Sequence, residues 1–152
     1  MTTIPIRKNS DILTNSASEV MNRAPRGLLH GAGYDTERLK KRPLIAIANS
    51  HTELTTGHSH LDRLARRVRD GILAAGGEAA EFNVPAPCDG LAMAHDGMRY
   101  VLAQRDLIAD ICEMHLRSQP YDGVVFIAGC DKINPGMMMA MARLDLPALD
   151  LA

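Results

Sequence analysis

Aromatic side chains are scarce in this chain of 152 residues, which has no tryptophan, two phenylalanines and three tyrosines. Its core must therefore be aliphatic, filled by Ala, Leu, Ile, Val and nine methionines. Long hydrophobic runs are also lacking. The apolar stretches are short and broken by charge, well below the roughly 18 residues that a membrane-spanning helix needs. Met1 to Asp11 carries no apolar secretory core, so the expected location is the cytoplasm, with no membrane partner. No excess charge of one sign exists either: 17 Lys and Arg against 18 Asp and Glu leave a formal charge of −1. That balance argues against a surface that tracks nucleic acid. The only cysteines, Cys88, Cys112 and Cys130, are 24 and 18 residues apart with no C-x-x-C pair. An odd count in a reducing compartment argues against a disulfide scaffold and leaves core thiols, metal ligands or a nucleophile. Finally, no G-x-G-x-x-G, Walker A, G-x-S-x-G or H-E-x-x-H pattern occurs, so dinucleotide, P-loop, α/β-hydrolase and zincin readings lack support.

What is present is a soluble globular balance, 46% apolar against 23% charged residues, at the length of one domain. Residues 1–42 read as an N-terminal arm with a short helix from Ser16 to about His30, a Gly-rich turn, and a basic stretch, Arg38 to Arg42, read as a solvated linker. Residues 43–152 have a different texture. Leu44 to Asn49 is a short apolar run bounded by proline and polar residues, as in a buried strand. Ser59 to Ala75 places Leu61, Leu64, Ala65, Val68, Ile72 and Leu73 on one helical face, and Gly76-Gly77 stops it. Glu78 to Val84 reads as a strand, and Pro85 to Gly90 as a loop. A helix follows from about Val101 to Arg117, then a strand from Val124 to Ala128. Asn134-Pro135 suits the cap and first position of a third helix through about Arg143, and Pro147 to Ala152 begins another strand. Strands alternating with helices imply right-handed crossovers and an α/β fold, a mostly parallel sheet with helices on both faces in three αβα layers. In such sheets ligands bind at the carboxyl ends of the strands.

Three polar loops follow the first three strands directly, covering 49–58, 87–98 and 129–136. Parallel topology gathers them at one edge, with Cys88, Cys130, Glu53, Asp89, Asp96, Asp131 and several histidines. Thiolate suits iron and zinc, whereas carboxylate suits a hard cation such as Mg²⁺. Cys130 follows an apolar strand shortly before a helix start, where the helix dipole and Lys132 favour thiolate; metal ligation and a tight-turn thiol both stay open. Cys88 reads as a packed thiol or a ligand, and Cys112, on the apolar stripe of a helix, as core. Asp89 and Asp131 each follow a cysteine, although Asp-Gly at 89–90 is also a common turn. Glu53, His58 and His60 fit ligand or substrate roles, with capping or a solvated position equally economical for His58. The methionines of 137–141 spread around a helix and are read as core rather than a copper site.

These three loops resemble the dihydroxy-acid and sugar-acid dehydratase family. The resemblance rests on Asn49 to Leu61, Glu81 to Met98, Arg105 to Asp110 and Cys130 to Met137, in family order and at family spacing. The Phe-Asn, Ala-Met-x-His-x-Gly-Met and Leu-Ile-Ala-Asp segments look more like the branched-chain biosynthetic enzyme than its sugar-acid relatives. The resemblance implies an iron–sulfur and Mg²⁺-dependent hydro-lyase that converts a small 2,3-dihydroxy acid to a 2-oxo acid in valine and isoleucine biosynthesis, homodimeric at full length. By motif match Cys130 would ligate the cluster, Asp89 and Asp131 would bind Mg²⁺, and Lys132 would be a carbamylated lysine completing the Mg²⁺ shell. Two positions depart from the family. Gly57 stands where 2Fe–2S members carry cysteine, which resembles the 4Fe–4S branch and leaves either cluster open. Ala94 stands where glycine is usual. The family's later cluster cysteine, glutamate ligand and serine base fall beyond residue 152. The chain is therefore expected to be an N-terminal portion, inactive alone. The alternatives are a fragment of a sugar-acid dehydratase and a non-catalytic Mg²⁺-binding or subunit-docking domain.

Overall fold

Strand β1 (Leu44–Asn49) forms where the apolar run was expected, and it is the hub of the fold. In this computed structural model, which describes residues 8–14 and 18–152, β1 pairs in parallel with β2 (Glu78–Asn83) on one side and β3 (Gly123–Ile127) on the other. Strand β4 (Ala148–Leu151) adds outside β3, giving the order β2-β1-β3-β4. The architecture is the α/β one expected, a four-stranded all-parallel sheet between helical layers. Because side chains alternate across a strand, β1 sends Leu44, Ala46 and Ala48 to one face, joined there by Val124 and Phe126 of β3. Ile47 and Ile127 project to the other.

Helices α6 (Gln104–Ser118) and α7 (Ile133–Leu144) cover the first face with Ile108, Cys112, Leu116, Met137 and Ala140. Helix α3 (Leu61–Ala74) covers the second with Leu61 and Ala65. Its buried stripe is narrower than the periodicity suggests, since Leu64 and Leu73 are both exposed. Gly76, at φ +85°, and Gly77 end α3, and a Cβ on Gly77 would lie 2.9 Å from the Ile72 side chain. Cys112 is fully buried, as expected of a core thiol. Of the methionine run, Met137 is buried in the core and Met138 is exposed.

Several boundaries move. Helix α1 (Glu19–Gly31) starts after Ser18, whose side chain accepts the Met21 N–H; the expected start at Ser16 lies outside the described residues. A short helix, α2 (Thr36–Leu39), follows, capped by Asp35. The basic stretch is not a free linker, because Arg38 and Arg42 both pair with Glu78, at 2.8 and 3.2 Å. Leu39 is buried beneath them. Ahead of α1, Ser10 is held by Asp122, whose carboxylate accepts from the Ser10 N–H, the Ser10 hydroxyl and the Leu44 N–H. The long second helix starts late, at Gln104, and is preceded by two short turns, α4 (Asp89–Ala92) and α5 (Met98–Val101). Helix α7 starts two residues earlier than the Asn-Pro signal suggests, with Lys132 as its cap, and Ile133 buries completely into the core. Among the described residues no helix is long and apolar enough to cross a membrane.

Candidate metal centre

The order β2-β1-β3-β4 means that the chain leaves the adjacent carboxyl ends of β1 and β3 toward opposite sides of the sheet. A crevice at such a point is where open α/β sheets bind ligands. The loops after β1, β2 and β3 meet here around a hollow of about 260 Å³, bordered by Gly57, Cys88, Gly90, Gly129 and Cys130. Three of these lining positions are glycines and lack a side chain.

Beside it, the ligand atoms of Asp89, Cys130 and Asp131 lie within 4.8 Å of one another. Asp89 sits in the first turn of α4, and Asp131 and Lys132 lead into α7. The Lys132 ammonium donates to Asp89 and, at 3.4 Å, to Asp131. Its side chain is only 13% exposed. The hydrogen bond from Lys132 holds the Asp89 carboxyl below the usual carboxylate range, and the same bond raises the Lys132 ammonium. The four residues singled out in the sequence are therefore brought together, with the ammonium in the place that a cation would take between two carboxylates.

The Cys130 thiol departs from expectation. Helix start and lysine were expected to favour thiolate, yet burial raises its pKa, and the carboxylates of Asp89 and Asp131 raise it further against the opposing Asp131 N–H. Lys132 cannot offset them because its charge is engaged by the same two carboxylates. A bound metal ion would counter that rise and deprotonate the thiol.

Other candidates fall away from the centre. Glu53, His60, His95 and Asp96 are exposed; Asp96 pairs with Arg99, and the His95 ring accepts the Gly97 N–H at 2.9 Å. His58 is neither a solvated residue nor a cap. It is fully buried, with Nδ1 2.8 Å from the Ser50 carbonyl and Nε2 2.7 Å from the Gly129 carbonyl. It thereby ties the loop after β1 to the loop that carries Cys130. Ser50, which donates to the Ile127 carbonyl at 2.8 Å, was not singled out at all. The available signal was a polar pair, Asn49-Ser50, placed where a buried strand ends.

Residues 42–152 match the model of the N-terminal region of the dihydroxy-acid/6-phosphogluconate dehydratases. The chain belongs to this dehydratase family. It is 48% identical over 137 residues to the dihydroxy-acid dehydratase of Acetivibrio thermocellus, covering 90% of this chain and 24% of that protein. It is 51% identical over 130 residues to that of Methanothermobacter thermautotrophicus, covering 85% of this chain and 24% of that protein. With that of Pyrococcus furiosus the identity is 52% over 130 residues, 85% of this chain and 23% of the relative. The chain thus spans about a quarter of the length of these dehydratases. Ala94, read from the resemblance as a departure from glycine, adopts φ +67°, a conformation that favours glycine.

Proposed function

We propose that this chain is the N-terminal, metal-binding part of a dihydroxy-acid dehydratase that removes water from a 2,3-dihydroxy acid to give a 2-oxo acid. The observation that carries the reading is the convergence of one thiol, two carboxylates and one lysine within a few ångströms at the sheet's switch point. The donor set fits an iron–sulfur cluster and Mg²⁺: Cys130 offers sulfur beside a glycine-lined hollow, while Asp89 and Asp131 offer the oxygens that a hard cation prefers. When bound, the two metal groups supply Lewis acidity, for the leaving hydroxyl and for charge developing on the substrate oxygens.

The chain's own contribution is to position these donors. Asp89 and Asp131 come from different loops, so their spacing is set by the pairing of β1 with β2 and β3. Lys132 holds the two carboxylates together as an ammonium. Asp89 and Asp131 would hold a dication, and Lys132 would then turn from ammonium to carbamate, its nitrogen giving up two protons in bonding CO₂ and offering a further anionic oxygen donor. His58 fixes the Gly129 carbonyl, one residue before Cys130. The same reading assigns the protein to branched-chain amino-acid biosynthesis in the cytoplasm, as part of a homodimer. The remaining ligands and the base lie in the part of the relatives' length that this chain does not span.

The test is anaerobic reconstitution with iron, sulfide and Mg²⁺, followed by assay alone and with the downstream portion of the Acetivibrio thermocellus relative added in trans. No turnover is expected alone. With the added polypeptide, 2,3-dihydroxy-3-methylbutanoate should yield the 2-oxo acid, and Cys130→Ser or Asp89→Asn should abolish this. Turnover of a sugar acid and not of the branched dihydroxy acid would move the assignment to the sugar-acid dehydratases. Unassisted turnover would show the reading of the chain as a partial site to be wrong.

A further inference from the structure

We propose that Cys88 is a second thiolate donor, facing Cys130 across the glycine-lined hollow, and that the two sulfurs together take one thiophilic metal centre. The inference deepens the function proposed above, because it shares Cys130 with it and rests on that reading of the site.

The two Cys-Asp pairs, Cys88-Asp89 and Cys130-Asp131, come from the loops after β2 and after β3. Both cysteines border the hollow and neither aspartate does. Both aspartates instead meet the Lys132 ammonium beside it. The two sulfurs share the cavity and the two aspartates share the cation, with Cys130 at the junction, its ligand atom within 4.8 Å of those of Asp89 and Asp131. A thiophilic metal suits the sulfurs and Mg²⁺ the oxygens. A packed thiol looks different in this molecule. Cys112 is wholly buried among the aliphatic side chains of α6 and α7, and burial pushes its pKa up to about 12. Cys88 is only half-buried and joins neither apolar cluster. Nor is its side chain spent on the helix that it precedes, since it makes no capping hydrogen bond to α4. It lies close enough to Cys130 for its charge to raise the pKa of that thiol. Gly90 is its neighbour at the hollow, where a Cβ would stand 3.5 Å from Cys88 Sγ, an ordinary contact.

Cobalt(II) is a suitable probe, because its bonds to thiolate give charge-transfer absorption whose intensity follows the number of sulfur ligands. The anaerobic chain would be titrated with Co²⁺ in excess Mg²⁺, which occupies the oxygen donors, and compared with Cys88→Ser, Cys130→Ser and Cys112→Ser, each checked for native circular dichroism. In Cys88→Ser the charge-transfer intensity per bound cobalt should fall by about half, and affinity should weaken by roughly tenfold or more. Cys112→Ser should match the parent. Alkylation mapped by mass spectrometry gives a second readout: cobalt should shield Cys88 and Cys130 together. Full intensity and affinity in Cys88→Ser, or shielding of Cys130 alone, would overturn the second donor while leaving the role of Cys130 intact. An unchanged Cys130→Ser, or a parent chain with no charge-transfer band, would overturn the pair and the sulfur side of the proposed function with it.

Discussion

The Nε2 of His58 lies 2.7 Å from the carbonyl oxygen of Gly129, joining residues 71 positions apart in the chain. At the other end of the ring, Nδ1 lies 2.8 Å from the Ser50 carbonyl. Both partners are carbonyl oxygens that only accept, and either neutral tautomer of the ring donates to one of them, so a loop without the ring loses that donor. The expected cost of His58→Ala is about 2–4 kcal/mol, from the lost donor and the emptied volume. The damage should concentrate at the Cys130 loop. Hydrogen exchange would show the amides of 129–132 losing protection more than those of α6. Uniform loss across the molecule, or no change in the urea midpoint, would argue against the bridge.

Ala94 makes a prediction of the opposite sign. Its φ of +67° is left-handed, a conformation that costs an L-residue roughly 1–2 kcal/mol and glycine little. Ala94→Gly gives back part of this as extra freedom of the unfolded chain. The net expectation is a stabilisation of about 0.5–1 kcal/mol, seen as a higher midpoint with an unchanged urea m-value. A lower midpoint would mean that the loop holds Ala94 without strain.

Gly136 should respond in the reverse direction. It lies inside α7, where alanine is intrinsically better than glycine by roughly 1 kcal/mol. Yet a Cβ here would stand 2.9 Å from the Arg105 carbonyl and 3.0 Å from two atoms of the Ile108 side chain, on the neighbouring helix α6. One of these obstacles is backbone, which cannot rotate away. Overpacking of this kind costs about 1–3 kcal/mol, so Gly136→Ala should destabilise in spite of propensity. Thermal unfolding decides it: a raised midpoint would show that α6 and α7 can part without penalty.

The parallel sheet rested on signals that a sequence expresses well. Short apolar runs set off by turn residues mark β1 and β3, and amphipathic spacing marks α3, so the parallel sheet and its loaded edge were legible. The candidate centre was legible as residue types, because Asp89, Cys130, Asp131 and Lys132 stand in strand-end loops. Their mutual electrostatics were not. Whether Lys132 serves Cys130 or the carboxylates depends on a contact between residues 43 apart, and spacing along the chain does not encode it. The role of His58 was hidden for the same reason, since a buried histidine and a solvated one look alike until the partner loop is placed. Leu64 looked like core because it shares a helical period with core residues, but the stripe of α3 that is buried is narrower than that period.

His115 sets the pH dependence most open to measurement. Its ring stacks on Phe82, with centroids 3.9 Å apart, and lies 5.9 Å from the Tyr121 ring. Burial lowers its pKa below the ordinary 6.5. Well above 6.5 the ring is neutral in both the folded and the unfolded chain and contributes no slope. Below it the unfolded chain takes up a proton that the folded chain refuses until the lower folded pKa is reached. Stability therefore declines through that window as pH falls, then levels off once both states are protonated. Replacement by a non-titrating residue of similar shape removes this contribution. Between about pH 7.5 and about pH 5, the urea midpoint of His115→Gln should fall less than that of the parent chain. The carboxylates titrate in both proteins and cancel in the comparison. Equal declines would mean that the ring accepts a proton in the stack as readily as in water.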